Sequence, residues 1–252
     1  MSIRLEVKDF IAVVTIDNPP VNALDRSVEL HSIFDSFADR SDVRVAILTG
    51  AGQRAFCAGF DTAKAGYPNV EPGVRAAGSR RSREMFNAII ECAVPVIGAI
   101  NGYAVGAGAV FAASCDYLIA SENASFGLPE LDIGILGGAR HMMRLFPQGA
   151  VRRANLTCKR IGAQEALRYG AVVDVVPPDR LMEVAMEEAR IIAGKLPQGV
   201  RMAKATHNLI ENMDLKNGYR YEQTQTVLLE KTPDALEARA AYREKRKPVF
   251  KG

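Results

Sequence analysis

The sequence has no tryptophan and few cysteines or histidines: four and three among its 252 residues. The cysteines lie far apart and form no C-x-x-C pair, which argues against a metal cluster or a redox dithiol. We therefore predict no metal site and four reduced, partly buried thiols. They are Cys57, Cys92, Cys115 and Cys158.

Long apolar runs and strong charge are also missing. No run approaches the roughly 18 to 20 apolar residues that cross a bilayer, and the start "MSIRLEVKDF" does not resemble a signal peptide. The formal net charge of +3 is small, and the basic residues are spread along the chain apart from "REKRKP" near its end. A nucleic-acid binder normally shows a stronger basic footprint. We expect a cytoplasmic protein without nucleic-acid or membrane partners.

What the sequence does contain is a repeated alternation of strand and helix signals. "IRLEV" and "IAVVTI" alternate apolar positions around a polar break, which predicts a β-hairpin. Residues 26–40 show helical spacing, and "VRVAILTG" and "VPVIGAI" read as strands buried on both faces. Residues 71–80 are rich in glycine, alanine and arginine and are interpreted as mobile, with a helix resuming near Ser82. The fold class is therefore α/β.

The last third of the chain is predicted to be mostly helical. A strand is expected at 171–176, "AVVDVV", followed by a helix in "PPDRLMEVAMEEARIIAGKL" with proline at its start and glycine near its end. The final helices carry apolar side chains such as Leu228, Leu236 and Tyr242 that need a surface to cover. That surface is predicted to belong to another subunit.

Three loops that contain glycine follow strands and are the candidate chemical segments. They are "TGAGQRAFCAGFD", "NGYAVGAGAV" and "FGLPELDIGILGGARH". A small-residue turn that leads into a helix exposes backbone N–H groups, and two such turns at one point would form an oxyanion hole. Glu130 is the carboxylate of the third loop, and apolar surroundings would raise its pKa and suit it to acid–base work. Taken singly, each loop is interpreted as a tight structural turn; the chemical interpretation depends on the loops taken together.

The histidines give weaker signals. His31 and His207 fall in predicted helices away from these loops and are interpreted as ordinary surface or core residues. Arg140 and His141 stand at the expected start of a helix, where positive side chains are unfavourable unless they face an anion. They are interpreted either as a solvated pair or as groups that contact substrate.

Four segments together resemble the crotonase superfamily, also called the enoyl-CoA hydratase/isomerase family. These are "FCAGFD", "VPVIGAINGYAVGAG", "CDYLIASENASFGLPE" and "IGAQEALRYGAVVDVV". The resemblance runs over essentially the whole chain and implies a spiral of repeated ββα units with a helical C-terminal region that trimerises. It divides the chain into a core, residues 1–195, and an oligomerisation region, residues 196–252, and implies a homotrimer or homohexamer.

The resemblance also implies the chemistry. Members of the family bind acyl-CoA thioesters and stabilise a thioester enolate with two backbone N–H groups, which fall here on Phe60 and on Ala107 of "GAG". Most relatives have glycine at the second position, but alanine can also donate its N–H. Of the two glutamates of the family's hydratases, the second falls on Glu130, whereas Val110 stands at the first.

A single glutamate favours enoyl-CoA double-bond isomerisation, because one base can take the α proton and return it at the γ carbon. Three alternatives stay open. One is an enoyl-CoA hydratase in which His141 or Asp132 orients the water, another is retro-type C–C cleavage, and the third is a low-turnover protein that binds CoA thioesters. Gly138 stands at the catalytic position where the family's aromatic dehalogenases carry a nucleophilic aspartate, so that chemistry is not expected.

The remaining implied contacts concern coenzyme A, which is expected only as part of the substrate and not as a separate cofactor. Backbone contacts are implied in two segments, and a C-terminal lysine is implied to reach a CoA phosphate. A solvated tail is the alternative interpretation of that lysine. The residues concerned are Asn22, Ala23 and Leu24, then Ala58 and Asp61 of "AGFD", and Lys245.

Overall fold

The computed structural model describes residues 2–25, 30–61 and 71–251. The strands are β1 (Ser2–Lys8), β2 (Ile11–Asp17), β3 (Val45–Gly50), β4 (Ala55–Cys57), β5 (Val96–Ile100), β6 (Tyr103–Val105), β7 (Tyr117–Ser121), β8 (Ser125–Gly127), β9 (Ile161–Gly162) and β10 (Asp174–Val176). The helices are α1 (Leu30–Ser36), α2 (Pro72–Ile90), α3 (Ala107–Ser114), α4 (Ala139–Leu145), α5 (Gln148–Thr157), α6 (Ala163–Arg168), α7 (Leu181–Ala193), α8 (Pro197–Ile210), α9 (Leu215–Leu229) and α10 (Pro233–Glu244). A short 3-10 helix covers Pro129–Ile133.

The strands form two sheets, of which the larger has the order β1-β2-β3-β5-β7-β10 and the smaller the order β4-β6-β8-β9. β1 and β2 form the predicted hairpin, and the other neighbours in the large sheet are parallel. The chain repeats one unit: a strand of the large sheet, a strand of the small sheet, then a helix. β3, β4 and α2 form one such unit, and β5, β6 and α3 form the next, which confirms the predicted ββα spiral.

The large sheet is buried on both faces, which explains its continuous apolar strands. In β3, Ala46 and Leu48 face the main core, which also contains α1, α2 and α3. Val45 and Ile47 point to the opposite face and pack against α7 through residues such as Ala185. Because side chains alternate along a strand, both faces of β3 must be apolar, as the sequence predicted.

Three of the predicted elements have different bounds in the structure. The segment 71–80, predicted to be mobile, is the first half of α2, which begins at Pro72. That prediction was wrong because proline suits the first helical turn, and alanine and arginine form helices well enough to offset Gly73 and Gly78. The last strand is shorter than predicted and begins at Asp174. The helix expected at 26–40 corresponds to α1, Leu30–Ser36, which ends earlier than predicted; residues 26–29 lie outside the described ranges.

The C-terminal helices differ in how they meet the core. α8 is anchored by Lys204, whose buried Nζ lies 2.8 Å from Asp116 Oδ2 and 3.1 Å from the carbonyl oxygen of Ile89. α9 and α10 leave large apolar side chains in solvent: Leu215 is 90% exposed and Tyr242 87%. The covering surface predicted for these helices, and with it the predicted trimer or hexamer, stays a prediction. Within the described residues no helix is both long and apolar enough to cross a membrane.

Candidate active site

A cavity of about 500 Å³ lies where the predicted glycine loops meet. Its floor consists of the residues that follow β4, the turn between β6 and α3, and the 3-10 helix, and α2 forms one wall. This arrangement follows from the repeated unit, because each strand of the small sheet ends at the same edge before its helix begins. The described lining residues are Ala58, Gly59, Phe60, Asp61, Gly78, Ser79, Ser82, Val105, Gly106, Ala107, Pro129, Glu130, Ile133 and Ile135.

The first predicted donor, Phe60, lies in a strand-like bridge with Leu24. The N–H of Leu24 donates to Gly59 O at 2.7 Å, and the N–H of Asp61 donates to Leu24 O at 3.0 Å. Successive N–H groups of an extended chain point to opposite sides. The N–H of Phe60 therefore points away from Leu24, and Phe60 lines the cavity.

The second predicted donor, Ala107, is the first residue of α3. The first N–H groups of a helix have no partner inside the helix, and no side chain caps this end. Gly106 precedes the helix with φ of 57°, a left-handed value that a residue with a side chain rarely adopts. The turn therefore presents the Ala107 N–H at a wall of the cavity, at the positive end of the α3 dipole.

Two glycines bring the donors and Glu130 close together. A Cβ atom on Gly59 would lie 3.2 Å from Ala107 N, so a side chain there would crowd this N–H. A Cβ atom on Gly106 would lie 3.1 Å from Glu130 Oε1. The missing side chains thus leave one open space bordered by the Ala107 N–H and the Glu130 carboxylate.

Glu130 sits in the first turn of the 3-10 helix, which starts at Pro129. Its Oε2 atom is buried and has no hydrogen-bond partner among the described residues. Burial raises the pKa of this carboxyl above its ordinary value of 4.5. A partly desolvated carboxylate beside the Gly106–Ala107 turn has the properties of a base for a carbon acid.

Val110 and Gly138 lie side by side behind the cavity. Val110 is 4% exposed, and a Cβ on Gly138 would stand 2.9 Å from Val110 Cγ2 and 2.7 Å from Leu128 Cδ2. Gly138 also has φ of 76°, so a side chain there would be strained as well as crowded. Neither position brings a polar side chain to the cavity. Gly138, which stands where the family's aromatic dehalogenases carry a nucleophilic aspartate, has no side chain that could act as a nucleophile.

Arg140 and His141 begin α4, as predicted, but neither is a lining residue of the described cavity. The imidazole of His141 packs edge-on against the ring of Phe86, with centroids 5.6 Å apart. Burial, with Arg144 and Arg140 nearby, lowers the pKa of His141 below 6.5. This histidine is therefore neutral at pH 7 and bridges α4 to α2. Asp132, the other group considered for orienting water, is exposed on the 3-10 helix and does not line the cavity.

The residues implied to contact coenzyme A divide into two groups. Ala58 and Asp61 line the cavity, and Ala23 and Leu24 run beside them through the bridge to Phe60. Lys245 caps the C-terminal end of α10 and is not among the described lining residues of the cavity. The contacts themselves stay predictions.

The sequence analysis missed Asn101, and it named Asn22 only for a contact with coenzyme A; in the structure both are buried beneath the first donor loop. Asn22 Nδ2 donates to Ala51 O at 3.0 Å and Ala55 O at 2.8 Å. Asn101 Nδ2 donates to Gly50 O at 2.9 Å, and its Oδ1 accepts from Gly50 N at 3.1 Å. The side chain of Asn22 thus holds the scaffold, which leaves only its backbone for the implied CoA contact. Asn101 precedes Gly102, and an asparagine beside a glycine turn was the available signal.

Of the histidines, His31 lies in α1 and His207 in α8, and neither lines this cavity. The described cysteines are free; Cys57, Cys92 and Cys115 are buried and Cys158 partly so. Burial raises the pKa of Cys57, just before the first donor loop, to about 12. That thiol is therefore not a nucleophile at neutral pH. Within the described ranges, no group of three His, Cys, Asp or Glu side chains is arranged to hold a metal ion.

Comparison with known proteins gives consistent results across the chain. Residues 6–252 match the family model described as enoyl-CoA hydratase/isomerase. The chain is 38% identical to (E)-benzylidenesuccinyl-CoA hydratase of Thauera aromatica, with 100% of both chains covered. It is 36% identical to carnitinyl-CoA dehydratase of Escherichia coli K12, with 100% of this chain and 98% of the relative covered.

Solved structures show the same likeness. The crystal structure of an enoyl-CoA hydratase from Bacillus anthracis superposes with a TM-score of 0.93 at 34% identity, and 100% of each chain is covered. The order of the motifs, the two-sheet spiral and these whole-chain matches agree. The chain is therefore an enzyme of the enoyl-CoA hydratase/isomerase family, the crotonase superfamily.

Proposed function

We propose that this enzyme moves the double bond of an enoyl-CoA thioester between the 3 and 2 positions, with Glu130 as the proton carrier. The observation that supports this most directly is the pairing of the Glu130 carboxylate with the Gly106–Ala107 turn, while Val110 stands where a hydratase of the family carries its first glutamate. The acyl-CoA substrate follows from the family. The choice of isomerisation over hydration follows from the single glutamate.

The proposed reaction needs no water and no other reactant. The Glu130 carboxylate removes a proton from C2 of a 3-enoyl-CoA, and the electron pair of that C–H bond moves into the thioester as a dienolate. The enolate oxygen accepts hydrogen bonds from the N–H groups of Phe60 and Ala107. Protonated Glu130 then gives the proton to C4, which leaves the double bond between C2 and C3.

The energetics are consistent with these roles. A preorganised N–H donor at an oxyanion contributes about 3 to 4 kcal/mol of transition-state stabilisation. The buried carboxylate without a partner is a stronger base than an exposed one, because its ionised form lacks full solvation. The surrounding isoleucines, Ile133 and Ile135, supply apolar surface for an acyl chain.

Hydration of a 2-enoyl-CoA is the second candidate, and the relatives favour it. The three described above are named as a benzylidenesuccinyl-CoA hydratase, a carnitinyl-CoA dehydratase and an enoyl-CoA hydratase, and these names describe addition or removal of water. The geometry supports it less, because neither His141 nor Asp132 lines the described cavity. Water would then be held by Glu130 without a second carboxylate from position 110.

Incubation with hex-3-enoyl-CoA and hex-2-enoyl-CoA in deuterated water separates the candidates by mass spectrometry. We expect deuterium at the α and γ carbons and interconversion of the two substrates, with little 3-hydroxyacyl-CoA. Glu130→Gln should lower the exchange rate by about 10²- to 10⁴-fold, since it removes a positioned base. Hydration faster than isomerisation would favour the hydratase, and unchanged exchange in Glu130→Gln would refute the site.

A further inference from the structure

The wall of the cavity formed by α2 changes character along one face of the helix. One face of α2 consists of residues spaced four, three and four apart, a spacing that places them in line along a helix. They are Ile89, Met85, Ser82 and Gly78. Ile89 and Met85 are buried in the core, whereas Ser82, Ser79 and Gly78 line the cavity. The face is apolar where it meets protein and bears hydroxyls where it meets the cavity.

The two hydroxyls have complementary hydrogen-bonding capacity. Ser82 Oγ donates to Gly78 O at 3.1 Å, so its proton is used and its lone pairs remain available to accept. Ser79 is an exposed residue of the cavity wall, and a serine hydroxyl can donate its proton as well as accept. A group bound between them would both donate and accept, as an alcohol does.

The charges around the cavity favour an uncharged group. Glu130 and Asp61 are acidic, and no lysine, arginine or histidine is among the described lining residues. A carboxylate or phosphate placed beside Glu130 would be repelled by the Glu130 carboxylate. An alkyl chain would leave the exposed hydroxyl of Ser79 without a partner after displacing its water, which costs affinity.

We propose that Ser79 and Ser82 bind a hydroxyl group on the acyl chain, beyond the carbons that react, so that the enzyme prefers hydroxyl-bearing acyl-CoA thioesters to hydrocarbon ones. This rests on the proposed function only in that the cavity holds the acyl group of a thioester.

The test measures binding, so it does not depend on which reaction the enzyme performs. Dissociation constants are measured by calorimetry for saturated acyl-CoA thioesters with a terminal hydroxyl on carbon 6, 7 or 8. Each is compared with the thioester that carries methyl in place of that hydroxyl. We expect at least one hydroxyl thioester to bind about three- to tenfold more tightly than its methyl partner, the value of one or two net hydrogen bonds.

Variants assign the preference to the serines. Ser79→Ala and Ser82→Ala should each reduce the hydroxyl-to-methyl ratio toward one while binding of the methyl thioesters changes little. Ser36→Ala is the matched control, because Ser36 is an exposed helical serine whose hydroxyl donates to Ile33 O at 2.6 Å. It should keep the full preference, and thermal melting of each variant checks the fold.

Three results would overturn the proposal. They are a ratio of one throughout the series, a preference for methyl, or a preference that survives in the Ser79→Ala/Ser82→Ala double variant. In each case the deuterium-exchange experiment with hex-3-enoyl-CoA still reports on Glu130, so failure of the hydroxyl preference is distinguishable from failure of the proposed isomerisation.

Discussion

At the scale of single residues, Glu130 combines a chemical advantage with a cost to stability. Its carboxylate is half-buried, and one of its oxygens has no partner within the described ranges. Such a group is costly to ionise, and this is what makes it basic enough to remove a proton from carbon. The same burial therefore makes both activity and stability depend on pH.

The direction of that pH dependence follows from the raised pKa of Glu130. The base must be ionised, so kcat/KM for isomerisation should fall as pH falls through a value above 4.5. For stability, the folded chain holds this proton more tightly than the unfolded chain, so the contribution of Glu130 is lost as pH rises through the raised pKa. A pH–rate profile and urea unfolding between pH 4 and 8 test both; Glu130→Gln should remove the part of each pH dependence that comes from Glu130.

In the proposed function, Val110 is the residue that favours isomerisation over hydration. Val110→Glu places a carboxylate in the first turns of α3, where the helix dipole favours negative charge. We expect 3-hydroxyacyl-CoA formation from hex-2-enoyl-CoA to rise at least about tenfold, because a positioned acid–base group contributes about 10²- to 10⁴-fold. Val110→Gln is the uncharged control. A folded Val110→Glu variant without added hydration would show that position 110 does not reach the reacting carbons.

At the scale of elements, the ββα repeat creates the site, because it places three strand-to-helix turns at one edge of the small sheet. The glycines at these turns matter because they have no side chain and so leave room for neighbouring groups. Gly59 leaves space beside Ala107 N, and Gly106 leaves space beside Glu130. The donor geometry is thus a property of how the repeats stack, and not of any one loop.

The ion pair between Lys204 and Asp116 fixes α8 to the core. Lys204 is 3% exposed and is paired with Asp116, whose carboxylate also accepts from Val96 N at 2.6 Å. Lys204→Met should lower the free energy of unfolding by about 3 kcal/mol, because it leaves a partly buried carboxylate without its cation. Urea denaturation measures the loss.

Lys195→Met is the matched control for that variant, since Lys195 is exposed. It should change the free energy of unfolding by less than about 0.5 kcal/mol. Equal effects of the two substitutions would contradict the anchoring role of Lys204. A double variant with Asp116→Asn should cost less than the sum of its parts, because the two side chains interact.

At the level of the whole molecule, the C-terminal helices expose large apolar side chains that a single chain does not cover. Leu215, Leu228 and Tyr242 are 90%, 57% and 87% exposed, which is costly for side chains of this size. Light scattering after gel filtration should give a mass three or six times 27.3 kDa. The mass should persist at 1 M salt, because apolar contacts are not screened. A monomer under both conditions would contradict the predicted assembly.

Much of the fold could be predicted from local patterns. Continuous apolar runs identified the strands buried on both faces, and the polar break at Lys8 and Asp9 identified the hairpin. The first half of α2 could not be predicted in this way. This half of the helix is rich in glycine and arginine and has no apolar stripe. It is helical because Pro72 starts the helix and the later residues of α2 pack in the core.

Residue identity and order were enough to establish Glu130 with valine at position 110, the alternation of strands and helices and, through the resemblance, the family and its ββα repeat. Three facts required the folded chain: Glu130 lies beside the Ala107 turn, His141 packs on Phe86 instead of lining the cavity, and two serines of α2 face it. Those facts depend on distances between segments far apart in the chain, which packing of the repeats sets and no local pattern encodes.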